Sequence, residues 1–248
     1  MKHFHPLVIV FLSFTALGQD ATDELMYKAY LSNDRATDLW KKAIADRQAS
    51  FKADPTNIHA QFNVALAQFG LLSSTMRYKD EDLFDEYYDA TEENLESIIE
   101  VNKQWGDPQA LLSAVYGLKM GYSPMQGMFL GSKSNGLTEK AKKLAPASPL
   151  VWKVFANSKY FTPEMWGGDL EMAIDGYEKC VKFYESKPDG LKFNWMYLDA
   201  LAFQGQAYLK NGDTGKAIQT FEKALKVEPD FGWVRGALLP KAKAQAGK

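Results

Sequence analysis

The apolar positions near the C-terminal end of the chain are spaced as in two consecutive helices. Large, small and aromatic side chains recur at steps of three and four residues on both sides of a polar turn, as in helices that each bury one face. They are Leu201, Gly205, Tyr208, Ala217, Phe221, Ala224 and Pro229. The small residues predict a close approach of two helices, with Phe221 in the groove between neighbouring hairpins. Residues 211–213 are predicted to turn the chain and to cap the second helix.

Weaker copies of this pattern lie earlier in the chain. Segments 42–55 and 216–229 align without a gap, although Arg47 stands at the aromatic position of the first one. Another copy covers residues 170–183, with Tyr177 at the aromatic position. The small position in the second helix of each unit then falls, in order, at Ser50, Ser97, Ala141, Cys180 and Ala224.

These residues resemble the tetratricopeptide consensus, most clearly over residues 201–229. The resemblance implies an all-α fold: a TPR-like α-α superhelix of about five antiparallel helix hairpins, forming one domain over residues 19–248. Residues 231–248 are expected to form a C-terminal capping helix, because a repeat array needs a polar outer face at its end. The small positions are 39 to 47 residues apart. The repeat period of the family is about 34 residues, so we expect extended repeats.

The extra residues are predicted to lengthen the turn inside three successive hairpins. These turns lie around residues 79–89, 120–131 and 162–169, and Asp169 is expected to cap the helix that follows it. Equivalent turns of a solenoid line one edge, and such edges often bind partners.

The candidate binding residues lie in these turns. They are Tyr122, Met125, Met128, Phe129, Glu164, Met165, Trp166, Tyr87 and Tyr88. The apolar ones either fold back over the helix ends or form an exposed, adaptable surface, for which flexible methionine and aromatic side chains are suited. The two neighbouring tyrosines belong to an acidic stretch, residues 80–89, which is either a solvated helix face or an acidic contact surface.

Charge and chemistry exclude several classes of function. The chain has 29 basic and 31 acidic residues, and this balance gives no indication of a nucleic-acid partner. His59 is the only histidine after residue 18, which leaves too few imidazoles for most metal sites and for serine or cysteine triads. Residues 131–136 are glycine-rich but are not followed by the lysine of a phosphate-binding loop. We therefore predict no catalytic residue, no metal site and no cofactor.

The resemblance also raises the carboxylate clamp of tetratricopeptide proteins, which uses lysine and asparagine one turn apart. Ala202 and Gln206 occupy the corresponding positions, so this mode of binding is not expected here.

The first 18 residues have the pattern of a signal peptide. Lys2 precedes a short apolar run, and small residues precede a predicted cleavage site between Gly18 and Gln19. The run is too short to span a bilayer, and no transmembrane segment is predicted further along. We expect an exported protein of bacterial type, periplasmic or secreted. Its single cysteine, Cys180, cannot form an internal disulfide; we interpret it as a small buried residue, with an intermolecular disulfide or a reactive thiol as the alternative.

The favoured function is a non-catalytic protein- or peptide-binding scaffold of the bacterial envelope, which would hold its partner on the concave face or along the edge of long turns. The alternative is a small-molecule-binding accessory protein of an envelope transporter or enzyme, which would need an enclosed apolar pocket. An all-helical hydrolase is a third reading and would need two carboxylates facing each other across a cleft. The sequence identifies neither the partner nor the oligomeric state.

Overall fold

A computed structural model describes residues 14–32 and 36–247, with side chains from residue 21 onward. Over these residues the chain is all-α and contains no strand. The helices are α1 (Phe14–Leu31), α2 (Thr37–Ala53), α3 (Ile58–Tyr78), α4 (Glu81–Val101), α5 (Gly106–Tyr122), α6 (Gly127–Leu144), α7 (Pro149–Phe161), α8 (Leu170–Glu185), α9 (Trp195–Lys210), α10 (Thr214–Val227) and α11 (Leu239–Ala246). Consecutive helices pair into five hairpins, α1–α2 to α9–α10, and α11 packs on the last one. The predicted fold class is therefore confirmed.

Side-chain caps set the starts of several helices. The side chain of Asn57 accepts hydrogen bonds from two backbone N–H groups at the start of α3, and Ser148 and Asn194 each accept one at the starts of α7 and α9. Asp169 caps α8 by accepting from Met172 at 2.9 Å, as the sequence predicts. Each such cap stabilises its helix by about 1 kcal/mol.

The predicted turn at residues 211–213 is present, but its cap is not. Gly212 adopts a φ of 87°, a left-handed conformation that costs glycine little. Asp213 precedes α10 without a capping hydrogen bond from its side chain. Its carboxylate accepts instead from the Asn211 side chain at 2.9 Å, so it stabilises the turn rather than the helix.

Glycine and aromatic side chains make the closest contacts between helices. A Cβ placed on Gly205 would lie 2.3 Å from the Phe221 ring, which confirms the close approach of α9 and α10. A Cβ on Gly70 of α3 would lie 2.2 Å from the ring of Trp40 in α2. Only glycine fits at these two positions, so each fixes how its two helices pack.

The small positions predicted in the first two hairpins are wrong. Ser50 and Ser97 are exposed, whereas Ala141, Cys180 and Ala224 are buried as expected. In α2 the aromatic position holds Arg47, which is buried and forms an ion pair with Asp23 of α1. A polar pair there replaces the apolar contact of the later repeats.

The extra residues of the long repeats are mostly helical. The predicted long turn at residues 79–89 is wrong, because α3 and α4 are 21 residues each and α4 already begins at Glu81. The one at residues 120–131 is only partly correct, since a short 3-10 turn, Pro124–Gln126, separates α5 from α6. Residues 162–169 do form an extended turn, around the 3-10 segment Glu164–Trp166.

The C-terminal segment caps the array as predicted. Phe231, Val234 and Leu238 are buried against the last hairpin, while Lys241 and Lys243 are exposed. The helix contains a π-helical segment, Val234–Leu238, before it continues as α11. None of the described helices has the length and apolar content needed to cross a membrane. Most of the predicted signal peptide, residues 1–13, lies outside the described residues, so the cleavage site remains a prediction.

Candidate functional site

The inner face of the superhelix is filled where its first and last hairpins meet. α1 packs on α2 and α3 and also contacts α9. The ring centroid of Trp195 in α9 lies 5.5 Å from that of Trp40 and 6.4 Å from that of Phe69. Tyr30 of α1 lies 5.6 Å from both Trp195 and Phe231. The expectation of a concave binding face is therefore wrong in this region, because the chain's own aromatic side chains occupy it.

Buried polar contacts reinforce this packing of the first hairpin against the last one, which we call the closure of the superhelix. Asp199 of α9 accepts a hydrogen bond from the Tyr30 hydroxyl at 2.9 Å and forms an ion pair with Lys153 of α7 at 2.7 Å. The Lys153 side chain is only 4% exposed. Burial, with the negative charge of Asp199 nearby, raises the pKa of the Tyr30 hydroxyl well above its ordinary value. These groups satisfy one another and hold three hairpins together.

The turn of the third hairpin exposes large apolar side chains. Tyr122 at the end of α5 is held in place, because its hydroxyl donates to Thr75 at 2.9 Å and its ring lies 4.6 Å from that of Phe84. Beyond it the chain leaves the core, and the side chains that follow are about four-fifths exposed. These are Met125, Met128 and Phe129. The expectation that this segment folds back holds for Tyr122 but is wrong for these three.

The turn of the fourth hairpin is rigid and also exposes apolar side chains. Gly168 packs so closely that a Cβ on it would lie 1.8 Å from the Thr162 carbonyl oxygen, and Gly167 adopts a φ of 94°. The Lys159 ammonium donates to the Gly167 carbonyl at 3.0 Å. On this frame Met165 is 83% and Trp166 72% exposed, so neither fills a gap in the fold. Glu164 beside them is exposed too.

Both turns lie on one edge of the molecule. Each follows the first helix of its hairpin, and these helices, α5 and α7, pack side by side. We call the exposed side chains Met125, Met128, Phe129, Met165 and Trp166 the turn-edge patch. Surfaces of this kind on soluble proteins often mark binding sites.

The two candidate tyrosines of α4 are structural. Tyr88 is buried, and burial together with the Glu92 carboxylate raises the pKa of its hydroxyl. Tyr87 is half-buried, with the Lys41 ammonium 5.5 Å from its ring centroid. The acidic residues around them are exposed, which fits a solvated helix face and an acidic contact surface equally well.

The described residues contain no group of three or more His, Cys, Asp and Glu side chains arranged for a metal ion. Cys180 is fully buried, and burial raises the pKa of its thiol, so it is protonated at neutral pH. His59 packs on the Trp105 ring at the start of α3, with centroids 4.5 Å apart. Neither is poised for chemistry.

Two open depressions of the described surface lie away from the turn-edge patch. One, of about 280 Å³, is lined by Tyr160, Gln206, Leu209 and their neighbours, and another, of about 300 Å³, lies between α1 and α2. Neither is the enclosed apolar pocket that the small-molecule reading requires.

Comparison with known proteins supports the repeat fold. The model of the tetratricopeptide repeat family matches residues 198–231, which contain the unit that is clearest in the sequence. No curated protein matches the chain. The protein is thus TPR-like.

Two solved structures have similar folds. The HusA haemophore from Porphyromonas gingivalis has a TM-score of 0.60 and 17% identity, over 77% of this chain and 93% of that one. A thermophilic TPR protein from Thermus thermophilus has a TM-score of 0.57 and 12% identity, over 93% of this chain and all of the other. At these identities the likeness concerns the fold alone.

Sequence reasoning missed the closure between α1 and α9. Its residues are far apart in the chain, and no local pattern pairs Tyr30 with Asp199. A signal was nonetheless present, because Tyr30, Trp40 and Trp195 are large aromatic residues outside the consensus positions of their repeats.

Proposed function

We propose that the protein is a non-catalytic scaffold that binds a polypeptide segment at its turn-edge patch. The observation that carries this proposal is the exposure of five large apolar side chains on the turns of two adjacent hairpins. Burying a side chain of this size contributes about 1.5–3 kcal/mol. Burial of all five is comparable to the cost of association, about 4–15 kcal/mol, so a specific complex also needs polar contacts with the partner.

The rigidity of the turn in the fourth hairpin, residues 162–169, supports the same proposal. Met165 and Trp166 are presented on a frame fixed by Gly168 and by the Lys159 hydrogen bond. A pre-organised site loses little conformational entropy when it binds. Methionine side chains on the neighbouring turn are flexible and fit partners of varied shape.

We further propose that this scaffold works in the bacterial envelope. That location rests on the predicted signal peptide at residues 1–18 and its predicted cleavage after Gly18. An exported scaffold would meet its partner in the periplasm or outside the cell.

The test is affinity capture from an envelope extract with three forms of the mature chain. One is wild type, the second carries Met125→Ser, Met128→Ser and Phe129→Ser, and the third carries Lys140→Ser, Glu171→Ser and Asp189→Ser at exposed polar positions elsewhere. We expect the same partner to be retained by the first and third forms and lost from the second. Equal retention by all three would overturn the proposed site.

A second candidate ligand is a flat apolar molecule such as haem. A protein of similar fold is a haemophore, and the turn-edge patch contains three exposed methionines, Met125, Met128 and Met165, as well as the exposed Trp166. A methionine thioether can ligate haem iron. Titration with haemin should then shift the Soret band, and the serine variant should abolish the shift. An unchanged haemin spectrum would remove this candidate.

A further inference from the structure

Helix α4, next to the turn-edge patch, is unusually acidic. It has nine acidic side chains and no lysine, arginine or histidine. Six of the nine recur at helical spacing along one side, and we call them the acidic stripe: Glu81, Asp82, Asp85, Asp89, Glu92 and Glu96. A one-sided row of like charges destabilises an isolated helix, so the stripe does not serve the stability of α4.

The acidic stripe faces α6 along the line where both helices pack on α5, and we call this line the α4–α6 groove. Both helices pack on α5, which forms the floor. The floor residue Tyr116 donates from its hydroxyl to Glu92 at 2.8 Å and to Glu96 at 3.3 Å. Lys133 of α6 spans the groove to Glu96 at 3.2 Å, and Lys119 of α5 reaches Asp85 at 2.7 Å.

These two lysines leave the stripe incompletely neutralised. Among the ion pairs of the described residues, lysines reach Asp85, Glu92 and Glu96 of the stripe. Glu81, Asp82 and Asp89 are exposed and lie in no such pair. The stripe therefore keeps a net negative charge, which is concentrated in the first half of α4.

The turn-edge patch reaches the head of this groove. Phe129 and Lys133 lie one turn apart in α6, and Met125 lies in the short 3-10 segment just before that helix. Residues four apart share one side of a helix. Because Lys133 contacts Glu92 and Glu96 of α4, Phe129 lies on the same side of α6, one turn nearer the start of α4, and the segment with Met125 precedes it.

Building on the proposed function, we propose that the groove and the patch together bind a cationic amphipathic polypeptide segment, with its large apolar side chains on Met125 and Phe129 and its lysine or arginine residues along the acidic stripe. The negative charge excludes nucleic acid and opposes an anionic membrane. A cationic segment that also carries large apolar side chains is complementary both to the exposed Met125 and Phe129 and to the acidic stripe.

The test is a selection from a random peptide library on four forms of the mature chain. These are wild type, the patch variant with Met125→Ser, Met128→Ser and Phe129→Ser, a stripe variant with Glu81→Gln, Asp82→Asn and Asp89→Asn, and a charge-matched control with Asp38→Asn, Glu171→Gln and Asp189→Asn. On wild type and on the control we expect peptides that join aromatic or aliphatic residues to an excess of lysine and arginine. The stripe variant should bind the same peptides about five- to tenfold more weakly at low salt, because each exposed pair contributes little.

The outcomes separate this inference from the proposed function. Selected peptides that are apolar without a basic excess, or that bind the stripe variant as tightly as wild type, overturn the cationic partner and leave the scaffold standing. If peptides are selected no better on wild type than on the patch variant, both the cationic partner and the proposed binding site are overturned. Self-association of the wild-type chain at micromolar concentration, or binding to neutral vesicles that the patch variant lacks, would identify a second copy or a membrane as the occupant and would also overturn it.

Discussion

The inner face and the turn edge of this protein use the same residue types in opposite ways. Inside, Trp40, Phe69 and Trp195 pack on one another and are nearly inaccessible to solvent. At the edge, Phe129 and Trp166 are more than 70% exposed. The inner aromatic residues close the superhelix, whereas the outer ones contribute almost nothing to its folding. Because the chain's own side chains fill the inner face where the first and last hairpins meet, we propose that the binding surface lies on the turns.

The largest expected effect comes from breaking the buried ion pair of the closure. Lys153→Met should lower the free energy of unfolding by about 3–5 kcal/mol, because the Asp199 carboxylate would lose its cationic partner in a nearly dry site. Thermal or urea unfolding measures this. The double variant with Lys153→Met and Asp199→Leu is the control and should recover much of the loss. A single variant as stable as wild type would show that the pair is not buried as described.

A smaller effect is expected inside the last hairpin. Gly205→Ala should destabilise the protein by about 1–3 kcal/mol, because the new Cβ would lie 2.3 Å from the Phe221 ring. Gly215→Ala, where a Cβ would have no neighbour within 4 Å, is the matched control and should be neutral or slightly stabilising. Urea midpoints of the two variants test this directly, and equal midpoints would refute the close contact.

The closure should also give a pH dependence at the alkaline end. The Tyr30 hydroxyl has a pKa raised well above 10.0, so it stays protonated in the folded protein while the unfolded chain releases its proton. Its contribution is complete below pH 10 and is lost as the pH rises above that value, at about 1.4 kcal/mol per pH unit. Tyr30→Phe should remove this part of the slope, whereas Tyr87→Phe, at a half-buried site, is the control. Identical alkaline unfolding curves for wild type and Tyr30→Phe would contradict the assignment.

The smallest effect on stability is expected at the edge. Met125→Ser, Met128→Ser and Phe129→Ser together should change the free energy of unfolding by no more than about 0.5 kcal/mol, because these side chains are exposed. Chemical denaturation provides the measurement. A loss of about 2 kcal/mol or more, on the scale that burial of such side chains supports, would mean that they pack on the fold and are not free to bind.

The local pattern predicted the fold well, since Gly205, Phe221 and Ala224 encode the contacts of the last hairpin, and the buried Ala141 and Cys180 occupy the matching positions of the two hairpins before it. The prediction failed where the repeats differ in the length of their helices. Residues 79–89 were expected as a turn because the family period was imposed on them, yet Asp80 accepts a hydrogen bond from Leu83 and starts a helix two residues after α3 ends. For the candidate site, the types of residue that the turns expose could be predicted from the sequence. The closure by Tyr30 and Asp199, and the facing of Lys133 toward Glu92 and Glu96, depend on contacts between distant segments that periodicity does not encode.

Site-specific photo-crosslinking in cells would test the central claim most directly. A benzophenone side chain would be placed in turn at Met128, at Trp166 and at Lys140, an exposed position farther along α6. The account predicts a crosslink to the same partner protein from the first two positions and none from the third. Crosslinks from Lys140 but not from Met128 or Trp166 would contradict it, because they would place the partner away from the turn edge.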